Sequence, residues 1–325
     1  MKHIPFPSIE QFRNVIRNVN HRVEFETKPT LDYIGTVKLH GTNAAIVILP
    51  DDTIQFQSRN SIITPQSDNA GFATFFNPFK TSLCKALPPV NGIKAIIVYG
   101  EWCGQSIQKG VAISGLPKMF VVFAIRIVNN DDSMLWATDE FVSSIKDHSI
   151  SVYNIFEFKT FSISIDFNNP LLSVNALSEL TISVESECPV AKSLGVLGVG
   201  EGIVWHCITP GWESSDYWFK VKGEKHSVTK VKTLASVDTE KLESLKEFVS
   251  SVVTESRCQQ GISHLKESNA PMDRTSLGKF LSWVVADVIK EESDTIKANN
   301  LTQKDVTSAI AIAAKNWFFL NEDSL

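Results

Sequence analysis

The period of the hydrophobic pattern changes once along this chain, and that change constrains the fold more than any other feature. Between residues 33 and 222, short β-branched and aromatic runs are separated by Gly, Pro, Asn and Asp, as in strands joined by turns. The runs are 33–39, 44–49, 53–58, 94–100, 119–128, 202–208 and 216–222. They do not alternate regularly with helices of crossover length, so the pattern predicts antiparallel sheets.

Helical periodicity replaces this pattern after Thr229, in residues 240–256, 273–292 and 303–319. A further helix is predicted over residues 8–19, where Ser8-Ile9-Glu10-Gln11 has the pattern of a capping box. We therefore expect an α+β domain over residues 1–232, with antiparallel sheets and flanking helices around a cleft. A small all-α domain should follow over residues 233–325.

Composition and charge limit the classes of function. The 325 residues carry a net charge of −5, which argues against broad electrostatic affinity for nucleic acid, so any such contact must be local. The densest basic stretch contains Lys220, Lys222, Lys225, His226, Lys230 and Lys232. Its last four residues fit either an edge that contacts RNA or a solvated linker.

Sorting signals and cysteine spacing bear on the compartment. The first residues lack a secretory apolar run, and no window approaches the roughly 20 apolar residues that span a bilayer. The 5 cysteines form no CxxC pair, which favours neither a disulfide framework nor a zinc site. We expect a monomer that is not secreted, does not bind membranes, and resides in the cytoplasm or another reducing compartment.

The candidate nucleophile is Lys38, in the segment KLHGTN that interrupts two strand-like runs. A lysine at a strand end, before a glycine bend, can project into a cleft beside a phosphate. An unperturbed lysine has a pKa of about 10.4 and must lose its proton before it can attack phosphorus. Lys220 and Lys222, which strand alternation places on one face, could supply positive charge that favours the neutral amine.

Two glutamates occur in strand-end contexts where an unpaired carboxylate would be costly. Glu101 lies in YGEWCG and Glu201 in GEGIV, each flanked by glycine and apolar residues. Such placement predicts a partner, either a metal ion or a ligand hydroxyl. The two commonest nucleotide-binding motifs, GxxxxGK[ST] and GxGxxG, are not found in the sequence.

Lys38, Glu101, Glu201 and the Lys220/Lys222 pair, in this order, resemble the motif set of covalent nucleotidyltransferases. Within that superfamily, KLHGTN is similar to the bacteriophage-type ATP-dependent RNA ligases that seal nicks in duplex RNA, a family that includes the trypanosome RNA-editing ligases. The resemblance extends from about Lys38 to Lys222 and less distinctly into VTESR, residues 253–257.

This resemblance implies a role for each site residue. Lys38 would attack the α-phosphate of ATP, Glu101 would bind the ribose, and Glu201 would position Mg²⁺ or Mn²⁺. Lys220 and Lys222 would hold the phosphates. The ATP-binding set that it implies also contains Leu39, His40, Asn43, Arg59 and Phe123. The RNA partner would present a 3′-hydroxyl and a 5′-phosphate.

Other interpretations of these residues remain open at the level of sequence. His40 could be only a hydrogen-bonding turn residue, and Phe123 could pack in the core instead of stacking on adenine. A DNA ligase or capping guanylyltransferase would typically carry a β-barrel after the KVK strand, whereas this tail has helical periodicity. A nick-binding protein of the same fold, without turnover, is the alternative outside enzymes.

Overall fold

The computed structural model describes residues 1–23, 27–86, 92–223, 241–299 and 301–321. The chain divides into two compact units, Met1–Gly223 and Glu224–Leu325. The predicted domain boundary at 232/233 lies outside the described residues, as do Lys225, His226, Lys230 and Lys232.

Two sheets form the frame of the first unit. The strands are β1 (Glu10–Gln11), β2 (Thr30–Lys38), β3 (Thr42–Ile48), β4 (Ile54–Ser58), β5 (Ile62–Ile63), β6 (Ala95–Cys103), β7 (Met119–Val128), β8 (Met134–Trp136), β9 (Val152–Asn154), β10 (Phe161–Asp166), β11 (Gly202–Cys207) and β12 (Phe219–Lys222). Among the described residues, the first sheet has the order β1-β12-β11-β2-β10, and the second has the order β5-β4-β3-β6-β7-β8, with β9 beside β7. The strand pairs are antiparallel apart from β1 with β12 and β7 with β9.

Helices complete the first unit and build the second. The first contains α1 (Phe12–Arg22), α2 (Phe72–Phe76), α3 (Lys80–Ala86), α4 (Asp139–Ser143), α5 (Val174–Ser186) and α6 (Pro189–Ser193); the second contains α7 (Lys241–Val252), α8 (Glu255–Glu267), α9 (Leu277–Glu291), α10 (Ser293–Ala298) and α11 (Gln303–Leu320). The predicted α+β class, with antiparallel sheets and a helical C-terminal region, is confirmed. None of the helices in the described part of the chain combines the length and apolar composition that a membrane crossing needs.

Strand alternation separates an apolar face of the first sheet from a polar one. Val37, Trp205 and Phe219 are buried in one hydrophobic cluster with residues of α1 and α5. Lys38 is adjacent to Val37, so its side chain leaves the strand on the other face. One face of the sheet thus packs in the hydrophobic core, and the other face carries charged side chains.

The N-terminal helix begins later than predicted. Glu10 and Gln11 form β1 and pair in parallel with Phe219 and Lys220, and α1 starts only at Phe12. The Glu10 carboxylate accepts a hydrogen bond from Asn14 Nδ2 at 2.7 Å. The predicted capping box at Ser8 is therefore wrong, because backbone pairing with β12 takes up the residues that would have formed the first turn.

The predicted helix over residues 240–256 is divided in two by a cap. α7 ends at Val252, and α8 begins at Glu255 after Thr254, whose side chain accepts a hydrogen bond from the backbone N–H of Arg257. A threonine oxygen that satisfies such an N–H is a strong helix start signal. Apolar residues keep their helical spacing across this junction. The sequence pattern therefore did not reveal that two helices meet there.

Candidate active site

A single buried carboxylate, that of Glu201, joins the two lysines at the centre of the site. Its Oε2 lies 2.7 Å from Lys38 Nζ, and its Oε1 lies 3.2 Å from Lys222 Nζ. The side chain of Glu201 is 2% exposed, whereas those of Lys38 and Lys222 are 22% and 12% exposed. His40 Nδ1 lies 3.5 Å from the same Oε2. The structure therefore brings together residues that are far apart in sequence.

Strand register explains why Lys38 and Lys222 lie together, whereas Glu201 reaches them from the residue just before β11. Gly202 is paired with Lys38 on β2 and with Lys222 on β12, so the three residues lie side by side across the sheet. Directly opposed residues point to the same face. Glu201 immediately precedes this row and reaches both lysines.

Gly202 is required at this position for two reasons. Its φ of +154° lies in a region that L side chains rarely adopt, and a Cβ there would lie 2.2 Å from Val221 O. Glycine alone accommodates both the dihedral angle and the close approach. The glycine after Glu201 thus allows β12 to approach closely enough for Lys222 to share the carboxylate.

The charges in this cluster shift two pKa values. Burial by itself would raise the pKa of Glu201, but the charges of Lys38 and Lys222, with a hydrogen bond from His40, hold it well below its usual range. Burial lowers the pKa of Lys222 to about 8; Glu201 opposes this shift, and the charges of Lys38 and Lys220 add to it. Lys222 therefore loses its proton at a lower pH than an ordinary lysine.

The bend after Lys38 is held by side chains from β6 and the loop that follows it. Glu101 Oε1 accepts a hydrogen bond from the backbone N–H of Gly41 at 2.9 Å, and Gln108 Nε2 donates to Gly41 O at 3.4 Å. A Cβ at Gly41 would lie 2.3 Å from Trp102 O, so β6 presses directly against the bend. Glu101 thus has a partner inside the protein that the sequence did not reveal.

Three other predicted nucleotide ligands lie on the second sheet or directly after one of its strands. Asn43 is paired with Glu101 across β3 and β6, so the two side chains share a face of the second sheet. Arg59 follows the end of β4 and is half-buried. Phe123, on β7, is also half-buried and makes an edge contact with Phe6, with the ring centroids 4.9 Å apart. Among the described residues, the ion pairs of the Lys38–Glu201 cluster include neither Arg59 nor Phe123.

Leu39, His40 and Lys220 take three different positions. Leu39 is 6% exposed and packs in the core, which leaves only its backbone for a ligand. His40 contacts Glu201, so it is more than a turn residue. Lys220 lies two residues before Lys222 on β12 and therefore on the same face. Its positive charge helps to lower the pKa of Lys222. The role of each in binding ATP stays a prediction.

Sequence reasoning missed two residues near the site. Gln108 is one, because nothing in QSIQKG distinguishes it from a surface loop residue. Glu185 is the other: it is 9% exposed on α5, and a Cβ at Gly223 would lie 2.2 Å from its Cδ. In the preceding residue of α5, Val184 O accepts a hydrogen bond from the Gly200 N–H at 3.1 Å. The last turn of α5 therefore packs on the chain before Glu201 and after Lys222, which only tertiary structure reveals.

The donor set available for a metal is small. Within the described residues, His, Cys, Asp and Glu do not gather in any group of three or more that could hold an ion. Mg²⁺ is commonly bound through one or two carboxylates together with substrate phosphates. Glu201 fits that mode and does not fit an all-protein metal cage.

Comparison with known families agrees with this geometry. The model of the RNA ligase family matches residues 31–222, from the second residue of β2 to the last residue of β12. This is more than half of the chain, and it includes Lys38, Glu101, Glu201, Lys220 and Lys222. The chain belongs to the RNA ligase family. The predicted family relationship is therefore confirmed, whereas no match was found among curated proteins.

The present chain is weakly similar to solved structures of RNA ligase from Naegleria gruberi. One mutant, with AMP and Mn, is 18% identical, with a TM-score of 0.46, over 68% of this chain and 56% of that chain. Another, with ATP and Mn, is 17% identical, with a TM-score of 0.45, over 69% and 59%. The ligase with PPi is 18% identical, with a TM-score of 0.46, over 68% of this chain and 56% of that chain. The present chain thus matches less than two thirds of the length of each.

Proposed function

We propose that this protein is an ATP-dependent RNA ligase that joins a 3′-hydroxyl to a 5′-phosphate through a lysyl adenylate on Lys38. The observation that carries the proposal is the buried Glu201 carboxylate, which holds Lys38 and Lys222 at its two oxygens. Membership of the RNA ligase family over residues 31–222 supports the same function. The preferred substrate is a nick in duplex RNA, as the similarity of KLHGTN to nick-sealing ligases implies.

The charge of the site suits a triphosphate. Three lysines, Lys38, Lys220 and Lys222, face one glutamate, Glu201, which gives these four groups a formal charge of +3 − 1 = +2. Charge-assisted hydrogen bonds from lysine to phosphate are among the strong ones in proteins. We infer that Lys220 and Lys222 hold the phosphates of ATP while Lys38 approaches the α-phosphorus.

The remaining ligands of ATP follow from their positions. Glu101 and Asn43 share a sheet face beside the Lys38 bend, which suits contact with the ribose and with phosphate. Phe123 offers a half-buried ring for the adenine. Arg59, His40 and the backbone of Leu39 complete the inferred binding set.

A divalent cation, Mg²⁺ or Mn²⁺, would be held by Glu201 together with the phosphates. When bound, it would offset charge that develops on the phosphate oxygens. Lys38 and Lys222 already bind the two oxygens of Glu201, so the carboxylate would be shared between the ion and the lysines. The chain's own contribution is to keep this carboxylate ionised and aimed at the reacting centre.

Three displacements at phosphorus complete the reaction. The neutral amine of Lys38 attacks the α-phosphorus of ATP, a P–N bond forms, pyrophosphate leaves, and the bonded nitrogen releases one proton to solvent. An oxygen of the RNA 5′-phosphate then attacks the same phosphorus, the P–N bond breaks, the Lys38 nitrogen takes up a proton from solvent, and an RNA adenylate forms. Finally, the 3′-hydroxyl oxygen attacks the 5′-phosphorus and releases its proton to solvent, the phosphodiester bond forms, and AMP leaves.

The division of labour between the two parts of the chain is also proposed. Residues 1–232 would form the adenylyltransferase domain, because the described side chains of the inferred ATP site all lie within them. Residues 233–325 would form a small helical domain. The helices α7–α11 argue against the β-barrel tail expected of a DNA ligase or capping enzyme.

The experiment that tests this function compares nucleic-acid substrates that differ in the type of strand and in whether they are paired. Nicked duplexes of RNA, DNA and RNA/DNA hybrid, and the corresponding single strands, are incubated with protein, Mg²⁺ and either ATP or GTP. We expect sealing of nicked RNA with ATP. Sealing of DNA alone would favour a DNA ligase, dependence on GTP would favour a capping-type enzyme, and binding without sealing would favour a nick-binding protein.

A further inference from the structure

The first eleven residues connect the two sheets of the first unit. At their start, Gln55 Nε2 donates to Met1 O at 3.2 Å, and His3 Nε2 lies 3.0 Å from Ser58 O, so the chain begins along β4. At their end, Glu10–Gln11 form β1 beside β12 of the other sheet. The segment therefore passes from the strand that precedes Arg59 to the strand that carries Lys220 and Lys222.

Hydrogen bonds fix the middle of this segment against β4 and β6. Tyr99 Oη donates to Ile4 O at 2.9 Å, and the Ile4 N–H donates to Gln57 Oε1 at 3.3 Å. Both polar groups of the Ile4 backbone are thus satisfied by side chains of the second sheet. This places Phe6, two residues later, in a defined position.

The Phe6 ring is a wedge between aromatic residues of both sheets. It is 8% exposed, and its centroid lies 4.9 Å from that of Phe123, 5.2 Å from Tyr99 and 5.8 Å from Trp136, all on the second sheet. On the other side it lies 6.2 Å from Trp218, which precedes β12. Aromatic pairs at these separations stabilise each other beyond the area they bury.

We propose that Phe6 is a positioning residue for ATP, which acts through Phe123. The proposal rests on the proposed function, in which Phe123 stacks on the adenine. The interplanar angle of 68° between Phe6 and Phe123 is that of an edge contact, which fixes the Phe123 ring while leaving it half-buried in the cleft. A site ring is held in a productive rotamer by the packing behind it.

Removal of the Phe6 ring would leave a cavity into which Phe123 can turn. Surrounding side chains relax partly into such cavities, and the purine would then meet a mobile ring. Because the ion pairs that join Lys38 and Lys222 to Glu201 do not involve Phe6, the chemistry of bound ATP should be little affected. The expected signature is therefore a raised KM for ATP with a nearly unchanged kcat for Lys38 adenylation.

The test measures adenylation kinetics in the full chain for Phe6→Ala, Phe6→Leu and Phe6→Tyr. Phe6→Ala should raise the KM for ATP about tenfold and change kcat less than about twofold. Phe6→Leu fills most of the volume and should fold even if the alanine variant does not; it should raise KM by about threefold. Phe6→Tyr restores the ring and should recover the wild-type KM.

The matched control is Val128→Ala, which opens a cavity in the same hydrophobic cluster but five residues from Phe123 on β7. It should leave the KM for ATP unchanged. The proposal is overturned if Phe6→Leu retains the wild-type KM, if a lower KM shows that Phe6 obstructs the site, or if Val128→Ala raises KM equally. Wild-type protein that ATP does not label would instead overturn the proposed function itself, and the role of Phe6 with it.

Discussion

Glu201 shows how a single side chain can organise a charged site. A carboxylate that is 2% exposed would be costly without partners, and here Lys38 and Lys222 each bind one of its oxygens. The GEGIV context indicated a partner for this glutamate, but the sequence suggested a metal or ligand and not the nucleophile itself. The carboxylate aligns the amine in addition to any role with an ion.

Replacement of Glu201 by Gln should leave two cations without their shared counter-charge. We expect the free energy of unfolding to fall by about 2 kcal/mol, less than for a fully buried pair because both lysines are partly exposed. Adenylation of Lys38 should fall by about a hundredfold. Urea unfolding and single-turnover labelling measure the two effects.

The control for this substitution is Glu187→Gln, in an exposed ion pair with Lys192. Surface pairs contribute little, so stability and labelling should both match wild type. Wild-type labelling in Glu201→Gln would remove Glu201 from the mechanism.

Lys222 gives the site a dependence on alkaline pH. Its pKa is about 8, below the 10.5 of a free lysine, so its positive charge is lost as the pH rises through about 8. Phosphate binding by this residue should weaken in the same range. Lys222→Arg keeps the charge at all these pH values, because arginine stays protonated.

We therefore expect the ratio of kcat/KM for wild type to that for Lys222→Arg to fall between pH 7 and pH 9.5. The ratio cancels the titration of other groups, and kcat/KM reports the free enzyme. A ratio that stays constant across this range would contradict the assignment of phosphate binding to Lys222.

Several residue-level features could be read from sequence, and others could not. Lys38, Glu101 and Glu201 were singled out by their strand-end contexts, Lys222 by strand alternation with Lys220, and the set as a whole by its resemblance to a known motif set. Gln108 and Glu185 were not, because their contacts are made with backbone atoms far away in sequence.

At the scale of elements, the turn between β2 and β3 follows directly after Lys38, the proposed nucleophile. Gly41 is pressed against β6, and its N–H is bonded to Glu101. Such a close approach leaves no room for a side chain. The bend therefore depends on glycine for space more than for an unusual dihedral angle.

Gly41→Ala should displace the bend, since its Cβ would lie 2.3 Å from Trp102 O. We expect Lys38 adenylation to fall by about a hundredfold, because small misplacements of a reacting group are costly. Circular dichroism should remain that of a folded protein.

Gly115→Ala is the matched control, because its Cβ would meet its nearest neighbour only at 3.4 Å. It should label normally. Normal labelling of Gly41→Ala would show that the bend is not critical.

Two element-level predictions failed or were incomplete for physical reasons. The capping box at Ser8 was a sound local signal that strand pairing with β12 overrides. Strand β10, Phe161–Asp166, was not predicted, although FSISID alternates apolar and polar residues in the expected way. Its two serines made it resemble a loop.

At the scale of the whole molecule, the residues of the inferred adenylation site lie in the first unit, and the second, helical unit has a hydrophobic core of its own. The described helices of the second unit bury Phe248, Phe280 and Phe318 together. Arg257 is fully buried there and donates to Asp287 Oδ2 at 2.9 Å and to Val252 O at 2.8 Å. The helical tail was predicted from its period, whereas the buried arginine could not be distinguished from a surface residue of VTESR.

Arg257→Met should destabilise the second unit specifically. The Asp287, Glu291 and Glu292 carboxylates would lose a shared cation, which should cost about 3 kcal/mol. Adenylation of Lys38 should be unchanged, since the inferred ATP ligands lie in the first unit. Thermal unfolding with parallel labelling distinguishes the two units, and loss of labelling would contradict this separation.

The most direct test of the lysyl adenylate is the mass of the intact protein after incubation with ATP and Mg²⁺, followed by peptide mapping. We expect a gain of one AMP on Lys38, no gain in Lys38→Ala, and release of the AMP when nicked RNA is added. AMP on another residue, transfer from GTP in place of ATP, or no covalent nucleotide at all would contradict it.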